Sequence, residues 1–388
     1  MPRLLHMADA HLGARHQDLA EAAAQQRERQ FAAFSRAVDE AIKLHVDVVL
    51  VCGDLFDSNA QPRRSVERAA GELRRLADQG IRSVLIPGTH DCFDNSSIYR
   101  SFDMAALAGQ PEDSQLVTVL TPAVPDVVFK DLALVVYGRV FDTKRAPRSP
   151  LADFSAAGET RGRWRVGMLH GSLAVPGKVE SDDVLFTEQE ISRSGLDYLA
   201  LGHWHSFRKG RAGNTTWAYS GAPEAVAIDQ DGAGQVLLVT LQEDPSGVTV
   251  EPIQVGRTRF QKLDVDAAML RSQDDLVRRL HELANPDLVL EARIAGVAPD
   301  TLDLNEDEIG SQLQGSFLGF RLRNQSVPAL PDGPLPPPDT IAGAFIRDVE
   351  ARITEAEGAG DAEAAAEARE VLRLGRLLLD NPQRVSLV

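Results

Sequence analysis

The segment at residues 47–52 is the feature that most constrains the fold. It is apolar from Val48 to Cys52 and ends at Gly53, with no polar residue alternating along it. A strand of this kind is buried on both faces, which is typical of a parallel sheet covered by helices. Strand patterns at 4–7 and 83–86 lie on either side of it in sequence, separated from it by helical patterns at 18–44 and 64–79. This β-α-β-α-β order predicts a layered α/β sheet.

Strand patterns continue beyond this first sheet. They dominate residues 116–255, interrupted at 146–162 by a polar stretch rich in Pro, Gly and Ser that indicates a loop. A second sheet packed against the first, with helices outside, would accommodate them. We therefore predict that residues 1–256 form one domain, an α/β sandwich of two sheets.

The chain changes character after residue 256. Strand and helix patterns alternate over residues 257–326 and predict a small α+β capping domain. Residues 327–339 contain six prolines, which exclude a central strand or a helix interior and predict a stiff linker. Residues 340–388 carry two amphipathic helical patterns, so we expect a helical tail.

Composition narrows the class of protein. The 388 residues have a formal net charge of −16, only two cysteines, and no apolar run long enough to cross a bilayer. This charge argues against a protein that coats nucleic acid by charge alone, although a local basic groove is compatible with it. Two cysteines cannot build a disulfide framework, and the first apolar run is too short for a secretory signal. We expect a soluble, cytoplasmic protein.

Five polar clusters directly follow predicted strands. They are Asp9-Ala10-His11, Gly53-Asp54-Leu55-Phe56-Asp57, Gly88-Thr89-His90-Asp91, His170-Gly171 and Gly202-His203-Trp204-His205. Ligands of open α/β sheets bind at the carboxyl ends of strands, so the clusters are expected to converge. Carboxylate and imidazole donors without thiolate suit Mn²⁺, Fe²⁺ or Zn²⁺. A pair of such cations needs one bridging carboxylate, for which Asp54 is the natural choice.

The order D-x-H, G-D-x-x-D, G-x-H-D, H-G and G-H-x-H resembles the calcineurin-like metallophosphoesterase superfamily, and within it the SbcD-type DNA repair exonuclease branch. Residues 6–13 and 219–224 are also similar to that branch. The resemblance covers residues 1–256. It implies the metallophosphoesterase fold and a metal-dependent DNA phosphodiesterase, acting as an exonuclease and also as an endonuclease in some members.

The resemblance also implies a set of metal ligands. The residues that would hold the first cation are Asp9, His11, Asp54 and His205. The residues that would hold the second cation are Asp54, His170 and His203. Both cations are expected to be Mn²⁺.

Two further roles follow from the third motif. By the resemblance, His90 would be the catalytic histidine, and Asp91 would orient it. Thr89 stands where the family pattern has an asparagine that binds the second cation. Because a hydroxyl is a shorter and poorer neutral donor than an amide oxygen, we expect the second cation to bind more weakly.

Expectations about partners follow from the same resemblance. It implies DNA as substrate, a homodimer, and an SbcC-type coiled-coil ATPase bound partly through the helical tail. A basic cluster that includes Arg139, Lys144 and Arg145 would contact DNA phosphates, unless it is simply a solvated loop.

Two alternative functions are compatible with the motifs. A small-substrate phosphoesterase of the same superfamily would act on cyclic nucleotides or phosphoproteins, but the roughly 130 residues beyond the core count against it. A catalytically impaired metal-binding scaffold would be explained by Thr89, but the presence of His90 and of the other ligands counts against it.

Overall fold

The computed structural model describes residues 1–179, 181–228, 230, 232–243, 247–299, 302–328 and 336–380. The chain divides into two compact units, Met1–Arg259 and Phe260–Val388. Part of the predicted proline-rich linker, residues 329–335, and the end of the predicted tail, residues 381–388, lie outside the described residues.

The first unit is built on two six-stranded sheets. Its strands are β1 Arg3–Met7, β2 Val48–Cys52, β3 Arg82–Ile86, β4 Val117–Val119, β5 Asp126–Phe129, β6 Leu134–Arg139, β7 Trp164–His170, β8 Ser172–Leu173, β9 Leu185–Phe186, β10 Tyr198–Gly202, β11 Arg208–Ala212, β12 Thr215–Tyr219, β13 Gln235–Leu241 and β14 Val248–Gln254. The strand orders are β14-β13-β1-β2-β3-β4 and β11-β12-β10-β7-β6-β5, and β8 pairs separately with β9.

Each sheet has four neighbouring parallel strands. In the first sheet these are β1 to β4, and in the second they are β12, β10, β7 and β6. Antiparallel partners extend both sheets: β13 pairs with β1, β5 with β6, and β11 with β12. Several strands of each sheet therefore present their carboxyl ends at the same edge.

Helices cover the outside of this arrangement. They are α1 Ala23–Lys43, α2 Arg63–Asp78, α3 Ile98–Ser101, α4 Met104–Leu107 and α5 Glu188–Arg193, with 3₁₀ turns at Gln17–Ala22 and Lys130–Leu132. Phe34 and Val38 recur on one face of α1 and are buried in a cluster with Val49 and Val51 of β2. The helix predicted at 18–44 thus begins as a 3₁₀ turn and becomes α-helical at Ala23.

The two sheets share a second apolar core. Leu50 and Val84 from the first sheet are buried in one cluster with Val166 and Met168 from the second. Alternate residues of the central strands face this core, while the residues between them face the helices or the outer loops. The α/β sandwich predicted from the sequence is confirmed.

The second unit is smaller and mixes both element types. Its elements are β15 Arg259–Asp266, α6 Gln273–His281, β16 Asn285–Ala295, β17 Val297–Ala298, α7 Glu306–Gln312, β18 Phe317–Asn324, β19 Val327–Pro328, α8 Ile341–Gly358 and α9 Ala362–Asp380, with a 3₁₀ turn at Ala267–Met269. Strands β15, β16 and β18 form a sheet, over which Leu276, Leu280 and Ile309 build a core. Phe345 of α8 packs against Gly375 of α9. The predicted helical C-terminal region is present.

Among the residues that the structure describes, no helix combines the length and the apolar character that crossing a membrane requires.

Candidate metal centre

The side chains of the five clusters follow the carboxyl ends of five strands. They are Asp9 and His11 after β1, Asp54 after β2, Thr89 and His90 after β3, His170 at the end of β7, and His203 and His205 after β10. Main-chain hydrogen bonds join the first two loops, since Asp9 N donates to Gly53 O at 3.1 Å and His11 N donates to Asp54 O at 3.0 Å. The structure brings these side chains together at one edge of the sandwich.

The backbone at this edge is locally strained. Four of the clustered residues have left-handed φ angles: 57° at Asp9, 45° at His11, 50° at Asp54 and 101° at His203. Such a conformation costs a non-glycine residue roughly 1–3 kcal/mol, and it persists where the surrounding structure fixes it. Strain of this kind is concentrated at functional sites.

Glycines beside the ligands make room for ligand side chains from other strands. A Cβ atom on Gly53 would lie 2.3 Å from His170 Nδ1, and one on Gly88 would lie 2.2 Å from Asp54 Oδ1. Real Cβ contacts are essentially never closer than 3.0 Å. Each of these glycines therefore leaves space that a ligand side chain occupies.

The first group of ligand atoms belongs to Asp9, His11 and His205, all within 4.8 Å of one another. His11 Nε2 lies 3.1 Å from His205 Nε2 and 3.9 Å from Asp54 Oδ2. Two imidazole nitrogens that face each other at this distance need a proton or a cation between them. A divalent cation satisfies both nitrogens and the carboxylates at once.

The second group belongs to Asp54, His170 and His203, again within 4.8 Å. His170 Nδ1 donates to Cys52 O at 2.9 Å, which directs Nε2 into the site. His170 Nε2 is buried and lies 3.0 Å from Asp54 Oδ2, but it lacks a hydrogen bond of good geometry. A buried nitrogen without a hydrogen bond beside a buried carboxylate is the arrangement that a cation completes. The residues present therefore fit a metal pair that shares Asp54.

Protonation of the site reflects its buried negative charge. Burial and the charge of Asp54 raise the pKa of Asp9 to about 6. Burial alone would lower the pKa of His170, but the carboxylates of Asp54 and Asp9 raise it to about 10. Burial also works against ionisation of Asp54, yet His170 and His11 hold its pKa well below the usual range. A proton on His170 thus takes the place of positive charge that a bound cation would bring.

Thr89 lies beside the shared carboxylate. Its side chain is buried, and Oγ1 lies 3.4 Å from Asp54 Oδ2. It is thus positioned next to the second group, with only a short hydroxyl to offer.

The contacts of His90 differ from the prediction. Asp91 accepts hydrogen bonds from Gly88 N, Asp54 N, Phe56 N and Tyr99 Oη. Asp91 therefore fixes the loop backbone. It does not orient the ring of His90, which is the role that the resemblance implied for it.

Asp57 contacts the ring of His90 instead. His90 Nδ1 lies 3.0 Å from the carbonyl oxygen of Asp57, and His11 Nδ1 lies 3.4 Å from Asp57 Oδ1. The rings of His11 and His90 have centroids 4.7 Å apart, and the three residues form a further group of ligand atoms within 4.8 Å. Sequence reasoning assigned Asp57 no role, although it ends the G-D-x-x-D motif.

The predicted basic cluster is mostly engaged in local contacts. Arg139 donates to Pro150 O at 2.9 Å and stacks over Phe154, while Arg145 forms an ion pair with Asp183 at 3.2 Å. These contacts do not join either arginine to the metal groups.

The fold and the clustered ligands define a class of protein. The sequence model of the calcineurin-like phosphoesterases matches residues 2–207, more than half of the chain. The chain belongs to this family, whose members are hydrolytic enzymes that use divalent metal ions. The resemblance inferred from the five motifs is confirmed.

Curated relatives show which members of the family this chain is similar to. The DNA double-strand break repair protein Mre11 of Aeropyrum pernix is 29% identical over 69% of this chain and 64% of its own length. The Mre11 protein of Sulfurisphaera tokodaii is 25% identical over 72% of this chain and 69% of its own. The uncharacterized metallophosphoesterase YhaO of Bacillus subtilis is 25% identical over 77% of this chain and 72% of its own. This chain thus spans about two thirds of the length of these relatives.

Proposed function

We propose that this protein is a metal-dependent DNA phosphodiesterase, an exonuclease that acts in DNA repair. The observation that carries the proposal is the pair of His/Asp groups, one of which contains the buried Asp54 while the other places His11 Nε2 3.9 Å from Asp54 Oδ2. The names of the Mre11 relatives support DNA as the substrate.

The proposed ligands are those of the two groups. Asp9, His11 and His205 would hold one cation, His170 and His203 the other, and Asp54 both. When bound, two divalent cations, expected to be Mn²⁺, would activate water and stabilise negative charge on a phosphate ester.

His90 would supply the proton chemistry. Its side chain is exposed, and its Nδ1 lies against the carbonyl of Asp57, so Nδ1 carries a proton and donates it. Nε2 is then the nitrogen that exchanges a proton with the substrate. We propose that it protonates the leaving oxygen as a general acid.

A groove next to the centre suits the DNA backbone. It has a volume of about 550 Å³, and its lining includes Gly13, which lies two residues after His11 in the chain. The residues that line it are Gly13, Arg15, Arg27, Glu28, Phe31, Gln61, Pro62, Arg64, Ser65 and Arg68. Four arginines against one glutamate give the groove a positive charge that the chain as a whole lacks. We propose it as a phosphate-binding path, in addition to the exposed Lys144 and its neighbours Arg139 and Arg145.

The direct test uses the purified protein with end-labelled duplex DNA, single-stranded DNA and bis-p-nitrophenyl phosphate, in Mn²⁺ and in EDTA. We expect hydrolysis of DNA and of the small diester in Mn²⁺ only.

Asp54→Asn is expected to abolish both activities and to weaken Mn²⁺ binding by at least about 10²-fold, because both cations lose a ligand. Hydrolysis of the small diester without DNA would indicate a small-substrate enzyme. A folded protein that hydrolyses neither would indicate a scaffold.

The second unit is proposed to bind the partner protein. We propose that residues 257–326 are the α+β capping domain expected from the sequence and that residues 327–339 link it to the tail. The tail at 340–388 would dock on an SbcC-type coiled-coil ATPase. A homodimer and a cytoplasmic location complete the proposal. A chain that ends at residue 339 should lose co-purification with the ATPase and keep hydrolysis of the small diester.

A further inference from the structure

Asp182 contacts a predicted metal ligand from a segment that carries none of the five motifs. It lies between β8 and β9, and its Oδ2 lies 3.0 Å from His203 Nε2. The same oxygen accepts a hydrogen bond from Ser172 Oγ, and Ser172 Oγ accepts one from Trp204 Nε1 at 2.9 Å. Three side chains thus form one connected network, which ends on the ring of His203.

This contact determines which nitrogen of His203 carries the proton. A carboxylate only accepts hydrogen bonds, so Nε2 must be the protonated nitrogen. Nδ1 then keeps its lone pair and is the nitrogen of His203 that is left to bind a cation together with Asp54 and His170. The main chain of His203 is fixed as well, because its N–H donates to the two carboxylate oxygens of Asp9 at 2.9 and 3.1 Å.

We propose that Asp182 is a positioning residue for the second cation. It holds the ring of His203 in one orientation and one tautomer, and it makes Nδ1 a stronger donor. Partners of this kind are worth about 10–100-fold in metal affinity. This gain in affinity offsets the weaker binding that the short hydroxyl of Thr89 is expected to cause at the same cation. The inference rests on the two-metal centre of the proposed function, but not on the identity of the substrate.

The chain provides a matched control at the next residue. Asp183 carries the same charge but forms an ion pair with Arg145, and its carbonyl accepts from Ala146 N at 2.8 Å. It has no contact with His203 among the described contacts. The side chain of Asp182 is 26% exposed, so its substitution should leave the core of the fold unchanged.

The test is a calorimetric titration of the full chain with Mn²⁺. Asp182→Asn should weaken one of two sites by about 10–100-fold and leave the other unchanged. Asp183→Asn should leave both sites unchanged, and Asp182→Glu should restore part of the loss. Ser172→Ala, which removes the hydroxyl that holds the carboxylate, should weaken the same site by a smaller factor.

A second readout requires neither metal nor activity. Nitrogen-detected NMR of the metal-free protein should show His203 with its proton on Nε2, and Asp182→Asn should convert it to a mixture of tautomers. Equal Mn²⁺ titrations of the wild type and Asp182→Asn would overturn the inference. Equal losses in Asp182→Asn and Asp183→Asn, or a wild type with fewer than two Mn²⁺ sites, would also overturn it. Two intact sites without DNA hydrolysis would instead overturn the proposed function alone.

Discussion

At the scale of single residues, the centre is defined by buried charge. The side chains of Asp9 and Asp54 are 0% and 2% exposed and lie within one cluster. Two carboxylates withdrawn from water are costly unless positive charge compensates them. His11 and His170 provide part of that charge, and both their pKa values are raised although burial opposes protonation. The site is therefore suited to exchange these protons for cations.

His90 should separate metal binding from chemistry. Its ring hydrogen-bonds to the Asp57 carbonyl and lies at the surface, and it belongs neither to the group of Asp9 nor to the group of Asp54. His90→Gln should bind Mn²⁺ like the wild type and hydrolyse the small diester about 10²–10⁴-fold more slowly. Calorimetry and initial rates on the same preparation check both parts. If the variant lost Mn²⁺ affinity, His90 would be a ligand and not a proton donor.

Thr89 should limit the second site. An amide oxygen is a better donor than a hydroxyl, and position 89 lies beside Asp54. Thr89→Asn should lower the Mn²⁺ concentration for half-maximal activity by roughly tenfold, the lower end of what single contacts at metal sites contribute. The measurement is activity against free Mn²⁺ for both proteins. Superimposable curves would show that Thr89 does not limit the site.

At the scale of elements, the junction of strand and loop is the functional unit. Five of the parallel strands, β1, β2, β3, β7 and β10, end beside a glycine or a left-handed residue, and predicted ligands lie at these junctions. Gly53 and Gly88 make room for ligands that come from other strands. An edge strand does not need an apolar sequence. Strand β11, with the sequence RKGRA, lies at the edge of its sheet beside β12, and its polar side chains face solvent.

Gly88→Ala tests this close packing. The new Cβ would lie 2.2 Å from Asp54 Oδ1 and 2.5 Å from Asp54 N. We expect Mn²⁺ affinity to fall and the free energy of unfolding to drop by about 1–3 kcal/mol. Gly71→Ala is the matched control, because Gly71 is exposed in α2 with no atom within 4 Å of its Cβ position. That variant should gain about 0.5–1 kcal/mol in stability and titrate normally. Denaturant unfolding measures the stability of both variants, and calorimetry measures their Mn²⁺ affinity. A Gly88→Ala protein that binds Mn²⁺ normally would contradict the packing argument.

At the scale of the whole molecule, charge is distributed unevenly. The net charge of −16 disfavours binding to the negatively charged DNA backbone. The groove beside the centre, in contrast, is lined by Arg15, Arg27, Arg64 and Arg68. Arg68 forms an ion pair with Glu28 at 2.9 Å. Arg64 is exposed at the start of α2, where a phosphate would meet it directly. If the groove binds DNA as proposed, a local positive path on an acidic protein would confine that binding to the neighbourhood of the metal centre.

Arg64→Gln should weaken DNA binding to the same extent for different sequences. It should also reduce the slope of log affinity against log salt concentration by about 1 if one phosphate contact is lost. The adjacent Arg63 is the control, since it forms an ion pair with Glu67 at 2.7 Å and does not line the groove. Fluorescence anisotropy at several salt concentrations measures both variants. Equal slopes for Arg63→Gln and Arg64→Gln would show that the groove is not the binding path.

The sequence alone determined the two-sheet sandwich and the set of residues that gather at its edge. Apolar periodicity specifies strands locally, and each motif directly follows its strand, so the convergence of Asp9, Asp54 and His170 followed from the rule for parallel sheets. The polar sequence of β11 carries no strand pattern of its own, because edge pairing needs no apolar pattern.

Only the tertiary structure decided which residues support the ligands. Asp57, and not Asp91, lies against His90, and Asp182 reaches His203 across 21 positions of sequence. The arginine groove likewise joins residues from the β1 loop, α1 and α2. Hydrogen bonds between side chains depend on distances of about 3 Å between segments far apart in the chain. No local pattern of residues encodes such distances, because they arise only when the packed sheets and loops fix every backbone at once.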